Sequence, residues 1–269
     1  MEIKNFFVKF INVIISKYKN KKLLKFIVWK LGLTRLVIFF QNPLIISRNY
    51  LLNNILKLLK PLIKNPANYV KFKFKILTLI KSDINEHLRI LSIYANRCNS
   101  IFETGVRGVV SSWALLHGLN ESKQKSKIFV MNDIESCDVE EILSISKKLN
   151  IKSKFILGNN LKIDMEESFD LTFIDTWHVY GQLKRELEKF SKYTKKYIIL
   201  HDTTLDGDVG ESIRTNMDIS NQVIESGFEE FEIRMGLQPA INEFLKNNQN
   251  WDLLKKYENN NGLTILARV

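Results

Sequence analysis

From residue 83 onward, short apolar runs alternate with stretches of helical periodicity, and this alternation limits the fold more than any other feature. Runs that are apolar throughout are typical of strands covered on both faces. Strands that alternate with helices predict an α/β fold, an open and mostly parallel sheet with helices on both faces. The five strand segments, some with their following turn, are 100–104, 128–131, 154–160, 171–174 and 197–204.

Flanking segments complete the sheet. Apolar residues recur at helical intervals from Ile84 to Cys98, which predicts an amphipathic helix over 83–99 with Ser82 or Asp83 as its N-cap. Near the end of the chain, the sequence predicts a helix from Pro239 to about Asn247 and then two strands joined by Asn-Asn-Asn-Gly. Asn and Gly tolerate the positive φ of a tight hairpin, so the sheet is expected to finish with an antiparallel pair.

The stretch from Ser100 to Leu119 has the form of a strand, a glycine turn and a helix start. The strand approaches its end at Glu103, Gly105 and Gly108 supply the tight turn, and helical spacing begins near Val109. Backbone N–H groups and the positive end of a helix meet at such a turn and suit a polar ligand. A glycine-rich turn without a ligand is the alternative, and this stretch alone leaves both open.

Titratable side chains follow four of the predicted strands. Because ligands of open α/β sheets bind beyond the carboxyl ends of the strands, these side chains predict a cofactor and substrate cleft. Asp133 follows the second strand, where an acid is placed to accept hydrogen bonds from ribose hydroxyls; a helix N-cap is the alternative. The strand-end residues are Glu103, Asp133, Asp175, His178, His201 and Asp202.

Charge divides the chain into a basic front and a mildly acidic body. Residues 1–82 contain 17 Lys and Arg against one acidic residue, whereas residues 83–269 contain 23 basic and 28 acidic residues. The apolar clusters of the front are short; the longest uncharged run, Leu36 to Ser47, has twelve residues. A membrane-spanning helix needs roughly 18 or more, so a spanning segment is not expected.

Within the front, Phe6, Phe10, Val13 and Lys17 follow helical spacing with lysines beside the apolar face. Such a helix can lie on an anionic membrane surface, and docking to a membrane or partner competes with plain packing against the body. Nucleic acid ranks third, because no recognised binding module accompanies the lysines. The two cysteines cannot form a disulfide framework, which favours a reducing compartment: the cytoplasm, with peripheral membrane attachment as an option.

Five stretches of the body carry a family resemblance: ETGVRGVVSS, FVMND, FDLTFIDTWHVY, IILHDTT and NNNGLTILAR. In these stretches the body resembles the class I S-adenosylmethionine-dependent methyltransferases, which have a Rossmann-like seven-stranded sheet with an antiparallel last strand. More narrowly, it resembles the metal-dependent small-molecule O-methyltransferases and the cephalosporin-hydroxylase-like group. The resemblance covers residues 83–269, and residues 1–82 form a separate helical segment.

The resemblance implies an S-adenosylmethionine site around the glycine turn. Glu103, Gly105, Arg107 and Gly108 would shape the pocket, with Ser111 nearby. Asp133 would bind the ribose hydroxyls, and Asn159 would lie near the adenine. Arg107 and Val109 make this turn less glycine-rich than the common family pattern.

The resemblance also implies a divalent metal site, with Asp175 and Asp202 as ligands of Mg²⁺. The ion would hold an acceptor hydroxyl and lower its pKa, and His178 or His201 would take the proton. Asp175, His178 and His201 are therefore the predicted catalytic residues. His201 stands where metal-binding relatives often have a second acid, which lowers the expected affinity for Mg²⁺.

These observations predict methyl transfer from S-adenosylmethionine to a hydroxyl of a small molecule or saccharide. Two alternatives stay open. One is a non-catalytic scaffold of the same fold, attached to a membrane or an assembly through residues 1–82. The other is a nucleic-acid methyltransferase, although the fourth strand ends in Ile-Asp-Thr-Trp rather than the Asn/Asp-Pro-Pro-aromatic run of amino-methylating relatives.

Overall fold

A computed structural model describes residues 48–123 and 125–269. Contacts divide the chain into two compact units, residues 1–62 and 63–269. In the first unit, helix α1 (Arg48–Leu59) is followed by a short 3₁₀ helix (Lys60–Leu62). The basic amphipathic helix predicted around Phe6 to Lys17, and its docking to a membrane, lie outside the described residues. Among the described residues, none of the helices has the length and apolar character required to cross a membrane.

The second unit begins with α2 (Pro66–Leu77), which packs against the helices of the sheet domain. Its Tyr69 hydroxyl donates a hydrogen bond to Glu141 at 2.8 Å, and Lys73 lies 3.9 Å from the centre of the Trp113 ring. Lys73 also pairs with Glu141. The compact unit with the sheet starts at Ile63. The predicted division into residues 1–82 and 83–269 stays a prediction.

Seven strands form one sheet in the order β3-β2-β1-β4-β5-β7-β6. Strands β1 to β5 are parallel, and β7 is antiparallel to both β5 and β6. The predicted mostly parallel sheet with an antiparallel last strand is confirmed. The strands are β1 (Ser100–Thr104), β2 (Lys127–Asp133), β3 (Ile151–Leu157), β4 (Phe169–Ile174), β5 (Thr194–His201), β6 (Trp251–Tyr257) and β7 (Leu263–Arg268).

Helices cover both faces of the sheet, as predicted. Successive residues of a strand point to opposite faces, so each face has apolar side chains that pack against helices. Ile101 packs in one core with the first group of helices, and Phe102 packs in the other with the second group. The first group is α2, α3 (Leu88–Asn96), α4 (Val110–Glu121) and α5 (Glu140–Lys148); the second is α6 (Tyr180–Phe190) and α10 (Leu237–Asn247). Between β5 and α10 lie the short helices α7 (Glu211–Arg214), α8 (Ile219–Ser226) and α9 (Glu230–Arg234).

The first predicted helix of the body begins later than expected, at Leu88 instead of Asp83, and neither Ser82 nor Asp83 is its N-cap. The preceding backbone is bound by side chains from the distant β6–β7 turn. Asn260 accepts a hydrogen bond from the Glu86 N–H at 2.9 Å and donates one to the Ser82 carbonyl at 3.0 Å. Local sequence favours a helix here, but these long-range hydrogen bonds stabilise a turn instead.

The β6–β7 turn itself has the conformation that its residues predict. Asn260, Asn261 and Gly262 have φ values of +46°, +70° and +98°. Asn and Gly tolerate this left-handed region better than other residues. The antiparallel hairpin predicted from Asn-Asn-Asn-Gly is confirmed.

Candidate active site

One cavity of about 710 Å³ opens at the carboxyl ends of β1, β2, β4 and β5. It gathers most of the predicted site residues in one place, as expected for strand ends of a parallel sheet. Glu103 and His201 do not line it. The predicted residues that do are Gly105, Arg107, Gly108, Ser111, Asp133, Asn159, Asp175, His178 and Asp202.

The glycine turn between β1 and α4 is tight at Gly105. This residue has φ +86°, and a Cβ atom there would lie 1.8 Å from the carbonyl oxygen of Asp175. Gly108 is different: a Cβ atom would find its nearest neighbour 3.9 Å away, on Val110. The other positive φ values of the turn belong to Arg107 (+37°) and Val109 (+60°). The backbone therefore requires glycine at 105 only, and Gly108 leaves open space in the cavity lining.

Asp133, the last residue of β2, holds this turn. Its Oδ2 accepts hydrogen bonds from the backbone N–H groups of Val106 and Arg107, at 2.7 and 2.9 Å. Its Oδ1 accepts one from Glu135 at 3.0 Å. Burial would raise the pKa of Asp133, but these N–H groups hold it below its usual value, so the carboxylate is charged. Asp133 is not a helix N-cap, because α5 begins only at Glu140.

Glu103 lies beneath the cavity wall. Its side chain is completely buried, and its Oε1 accepts a hydrogen bond from the Ser111 hydroxyl at 2.6 Å. The other oxygen, Oε2, has no hydrogen-bond partner among the described residues. Burial raises the pKa of Glu103 to about 8, although Ser111 opposes the shift. Glu103 therefore lies outside the cavity and holds the hydroxyl of Ser111, which lines it.

His178 lies at the centre of a group of carboxylates. Its Nε2 is 3.3 Å from Asp175 Oδ1 and 3.3 Å from Asp202 Oδ2. Ligand atoms of these three residues all lie within 4.8 Å of one another, which is compatible with a shared metal ion. Asp202 has φ +56°, a left-handed conformation that Asp tolerates better than most residues.

On its other side, His178 meets two acids that the sequence did not single out. Nδ1 lies 3.1 Å from Asp206 Oδ2 and 3.5 Å from Glu211 Oε2. Asp206 is fully buried and accepts two hydrogen bonds from Arg214, at 2.5 and 3.0 Å. Burial would lower the pKa of His178, but the hydrogen bonds to Asp175 and Asp206 raise it well above its usual value. Without bound ligands, His178 is therefore protonated near pH 7.

His201, the last residue of β5, is buried behind this group. Its Nδ1 lies 3.1 Å from Asp202 Oδ2 and 3.4 Å from Asp175 Oδ1. Burial opposes protonation, but hydrogen bonds to these two carboxylates raise the pKa of His201 to about 10. This arrangement presents His201 as a charged neighbour of the two carboxylates, outside the cavity lining.

Trp177 provides an aromatic wall next to His178. Its indole N–H donates to the Ser212 hydroxyl at 3.0 Å, and its ring stacks on Phe228 with centroids 5.8 Å apart and planes 13° apart. The guanidinium carbon of Arg185 lies 4.2 Å from the centre of the same Phe228 ring. These contacts hold the indole in one orientation and give this part of the cavity a rigid apolar surface.

No protein-family model matches the sequence, and it has no significant match among curated proteins. Some solved structures are similar in three dimensions. An O-methyltransferase family protein from Burkholderia thailandensis has a TM-score of 0.46 and 7% identity, covering 74% of this chain and 59% of that one. An O-methyltransferase from Bacillus cereus, in complex with SAH, has a TM-score of 0.45 and 14% identity, covering 80% and 97%. The O-methyltransferase TomG from Streptomyces achromogenes, in complex with SAM, has a TM-score of 0.45 and 12% identity, covering 83% and 100%.

The sheet itself defines the fold. Its strand order places β1 beside β4 at the centre, and β7 enters antiparallel between β5 and β6. Helices pack on both faces, and the cavity lies at the carboxyl ends of the parallel strands. This combination of strand order and strand direction is that of the class I S-adenosylmethionine-dependent methyltransferases, and the chain has their fold.

Proposed function

We propose that the protein is a methyltransferase that transfers a methyl group from S-adenosylmethionine to a hydroxyl of a small molecule or saccharide. The observation that carries this proposal is that one cavity contains both the glycine turn held by Asp133 and the group Asp175, His178 and Asp202. The first set suits the cofactor, and the second suits a hydroxyl that must lose its proton.

The cofactor half of the cavity comprises Gly105, Gly108, Ser111, Asp133 and Asn159. S-adenosylmethionine, when bound, supplies an electrophilic methyl group on its sulfonium sulfur. The space beside Gly108 lets a ligand approach the backbone closely. The carboxylate of Asp133 is charged and already oriented by the turn. Its Oδ1, which accepts the Glu135 N–H, has a second lone pair for a ribose hydroxyl, whereas both lone pairs of Oδ2 bind the turn.

The acceptor half comprises Asp175, Trp177, His178 and Asp202. Its donor set fits a divalent ion: two carboxylates converge, and Asp202 Oδ1 is buried with no hydrogen-bond partner among the described residues. Carboxylate oxygens are the ligands that Mg²⁺ prefers. Asp175 and Asp202 would hold the ion. When bound, it would supply positive charge that lowers the pKa of an acceptor hydroxyl and offsets the carboxylate charges around His178.

Around that position, the chain's own residues orient the acceptor. Asp206 fixes the imidazole of His178 from Nδ1, so that Nε2 faces Asp175 and Asp202. We propose that this Nε2 accepts the proton of the acceptor hydroxyl after the positive charge of bound ligands has lowered the pKa of His178 and the imidazole has released its own proton to solvent. Trp177 offers its apolar face to the rest of the acceptor. In-line methyl transfer needs mainly such positioning and the exclusion of water.

The charge of the cavity lining favours this proposal over nucleic-acid methylation. Seven carboxylate side chains line the cavity, against three cations: Arg107, Lys162 and the protonated His178. Arg107 is paired with Asp83 at 2.6 Å. Such a lining disfavours a polyanion at the reacting centre and favours a neutral acceptor together with the cationic cofactor.

The test is a calorimetric titration with S-adenosylmethionine, with and without Mg²⁺. Wild type is expected to bind. Asp133→Ala is expected to lose binding, because it lacks both the acceptor for the ribose hydroxyls and the carboxylate that holds the glycine turn. Asp138→Ala, an exposed acid outside the cavity lining, removes the same charge as a control. Transfer of a labelled methyl group to hydroxylated acceptors follows. A folded wild-type protein that does not bind S-adenosylmethionine refutes the proposal and favours the non-catalytic scaffold.

A further inference from the structure

One side of helix α6 has a stripe of polar residues, which lies next to the apolar residues that pack against the sheet. Gln182, Glu186 and Lys189 follow one another at helical spacing, while Leu183, Leu187 and Phe190 of the same helix pack against the sheet. Glu186 is only 1% exposed. Neither Glu186 nor Lys189 lines the cavity. Their place in the core therefore needs an explanation other than contact with a ligand.

One oxygen of Glu186 collects three hydrogen bonds. Its Oε1 accepts from Asn160 Nδ2 at 2.5 Å, from the Thr176 hydroxyl at 2.6 Å and from Gln182 Nε2 at 2.7 Å. All three donors line the cavity. Asn160 follows β3, and Thr176 directly follows Asp175. A single buried carboxylate thus connects a segment beside Asn159, in the cofactor half, with a segment beside Asp175, in the acceptor half.

Lys189 binds the same segment from the next turn of the helix. Its Nζ donates to the carbonyl oxygen of Asn160 at 2.8 Å and to that of Ile163. Residues 158–163, which we call the β3 loop, are therefore fixed to α6 through both a side chain and two backbone carbonyls. Asn159 lies within this loop.

The network continues to the ends of two more strands. Asn160 Nδ2 also donates to the Thr104 hydroxyl at 3.0 Å, and Thr104 donates to Asn132 Oδ1 at 2.9 Å. Asn132 Nδ2 then donates to the carbonyl of Gly158 at 2.9 Å. Thr104 precedes Gly105, and Asn132 precedes Asp133. Each hydrogen of these donors is used once, so the network is a consistent set of bonds that joins the ends of β1, β2, β3 and β4.

We propose that Glu186 and Lys189 are positioning residues, which hold the β3 loop and Thr176 in register so that the cofactor half and the acceptor half of the cavity keep one relative geometry. This role rests on the proposed function. A buried carboxylate is costly, and apolar residues of similar size usually stabilise a core as well or better. A carboxyl oxygen that accepts hydrogen bonds from three cavity residues is instead suited to fixing their orientation.

The test uses three variants of the stripe and one control on the same helix. Glu186→Ala removes the shared acceptor, and Lys189→Met removes the donor to the β3 loop while keeping most of the aliphatic stem. Glu186→Gln keeps a carbonyl oxygen for the three donors. Glu188→Gln changes an exposed residue outside the cavity lining and serves as the control. Calorimetry measures the affinity for S-adenosylhomocysteine, and hydrogen exchange follows the amides of the β3 loop without ligand.

At a temperature where circular dichroism shows each protein to be folded, Glu186→Ala is expected to bind S-adenosylhomocysteine about tenfold more weakly. Lys189→Met is expected to show a smaller loss, and both are expected to exchange the β3-loop amides faster. Glu186→Gln is expected to restore most of the affinity. A purely structural role would lower the unfolding temperature and leave the affinity of the folded protein unchanged.

The outcomes separate this inference from the proposed function. Wild-type protein that does not bind S-adenosylhomocysteine overturns both. Wild-type binding with unchanged affinity in folded Glu186→Ala and Lys189→Met overturns the positioning role alone. If Glu186→Ala does not fold, Lys189→Met decides: unchanged affinity and unchanged loop exchange overturn the inference, and weaker binding with faster exchange supports it.

Discussion

Replacing Glu103 with glutamine is expected to stabilise the protein, and to do so more strongly at pH 8 than at pH 5. The Glu103 carboxyl is fully buried, and one of its oxygens has no partner among the described residues. Burial raises the pKa of Glu103 to about 8, against an ordinary value of 4.5. In the folded state the group therefore keeps its proton over a range in which the unfolded chain has released it.

The sign follows from proton linkage. Between pH 4.5 and about 8 the unfolded state binds fewer protons at this position, so the free energy of unfolding of the wild type falls as the pH rises. The loss approaches about 1.4 kcal/mol for each pH unit, and it amounts to roughly 3 kcal/mol between pH 5 and pH 8. Glutamine does not titrate, so the variant escapes this loss while its amide oxygen can still accept from Ser111.

Urea unfolding at pH 5 and pH 8 measures the effect. The advantage of Glu103→Gln is expected to grow by about 1 to 2 M in urea midpoint between the two pH values. Glu188→Gln makes the same change at an exposed position and controls for overall charge. Parallel pH dependences of wild type and Glu103→Gln would refute the reasoning, because they would show that Glu103 has the same pKa in the folded and unfolded states.

Three further predictions concern the cavity. Gly105→Ala is expected to prevent folding or to lower the melting temperature strongly, which scanning fluorimetry measures. Gly108→Ala has room for its methyl group, so it is expected to keep the melting temperature but to bind S-adenosylhomocysteine more weakly in calorimetry. Normal binding by Gly108→Ala would contradict the close approach of the cofactor. Asp206→Asn is expected to slow methyl transfer by about 10- to 100-fold at unchanged cofactor affinity, because His178 loses its orienting carboxylate. Single-turnover assays measure the rate, and an unchanged rate would show that Asp206 has no role in the reaction. Asp202→Asn is expected to abolish any activation by Mg²⁺, and activity that survives both this change and a chelator would exclude the metal site.

The sheet could be predicted from the sequence because its strands are short apolar runs between amphipathic helices. Such strands form parallel sheets with few topologies, and their carboxyl ends meet at one edge. Asp133, Asp175 and Asp202 come together for that reason. The hairpin at Asn260 to Gly262 was predictable on local grounds, since positive φ favours those residues.

Other parts of the site have no local signal. Asp206 and Glu211 follow β5 in a segment without helical or strand periodicity, and only the folded chain brings them to His178. The start of α3 depends on Asn260, far along the chain. Glu186 resembles any polar residue of an amphipathic helix, and its burial follows from the β3 loop that packs over it. These features depend on tertiary contacts, which the spacing of residues does not encode.

The hydrogen bonds between the start of the body and the β6–β7 turn have a consequence for biosynthesis. Glu86 and Asn260 are 174 residues apart in sequence, and Asp83, which belongs to the same early segment, lines the cavity. This part of the cavity wall cannot reach its final structure until the β6–β7 turn has left the ribosome. Contacts of such long sequence separation form slowly, so the nascent protein exposes an incomplete cavity until this turn has been made and has folded back. Deletion of the β6–β7 hairpin would therefore disturb the region before the first strand as well as the edge of the sheet.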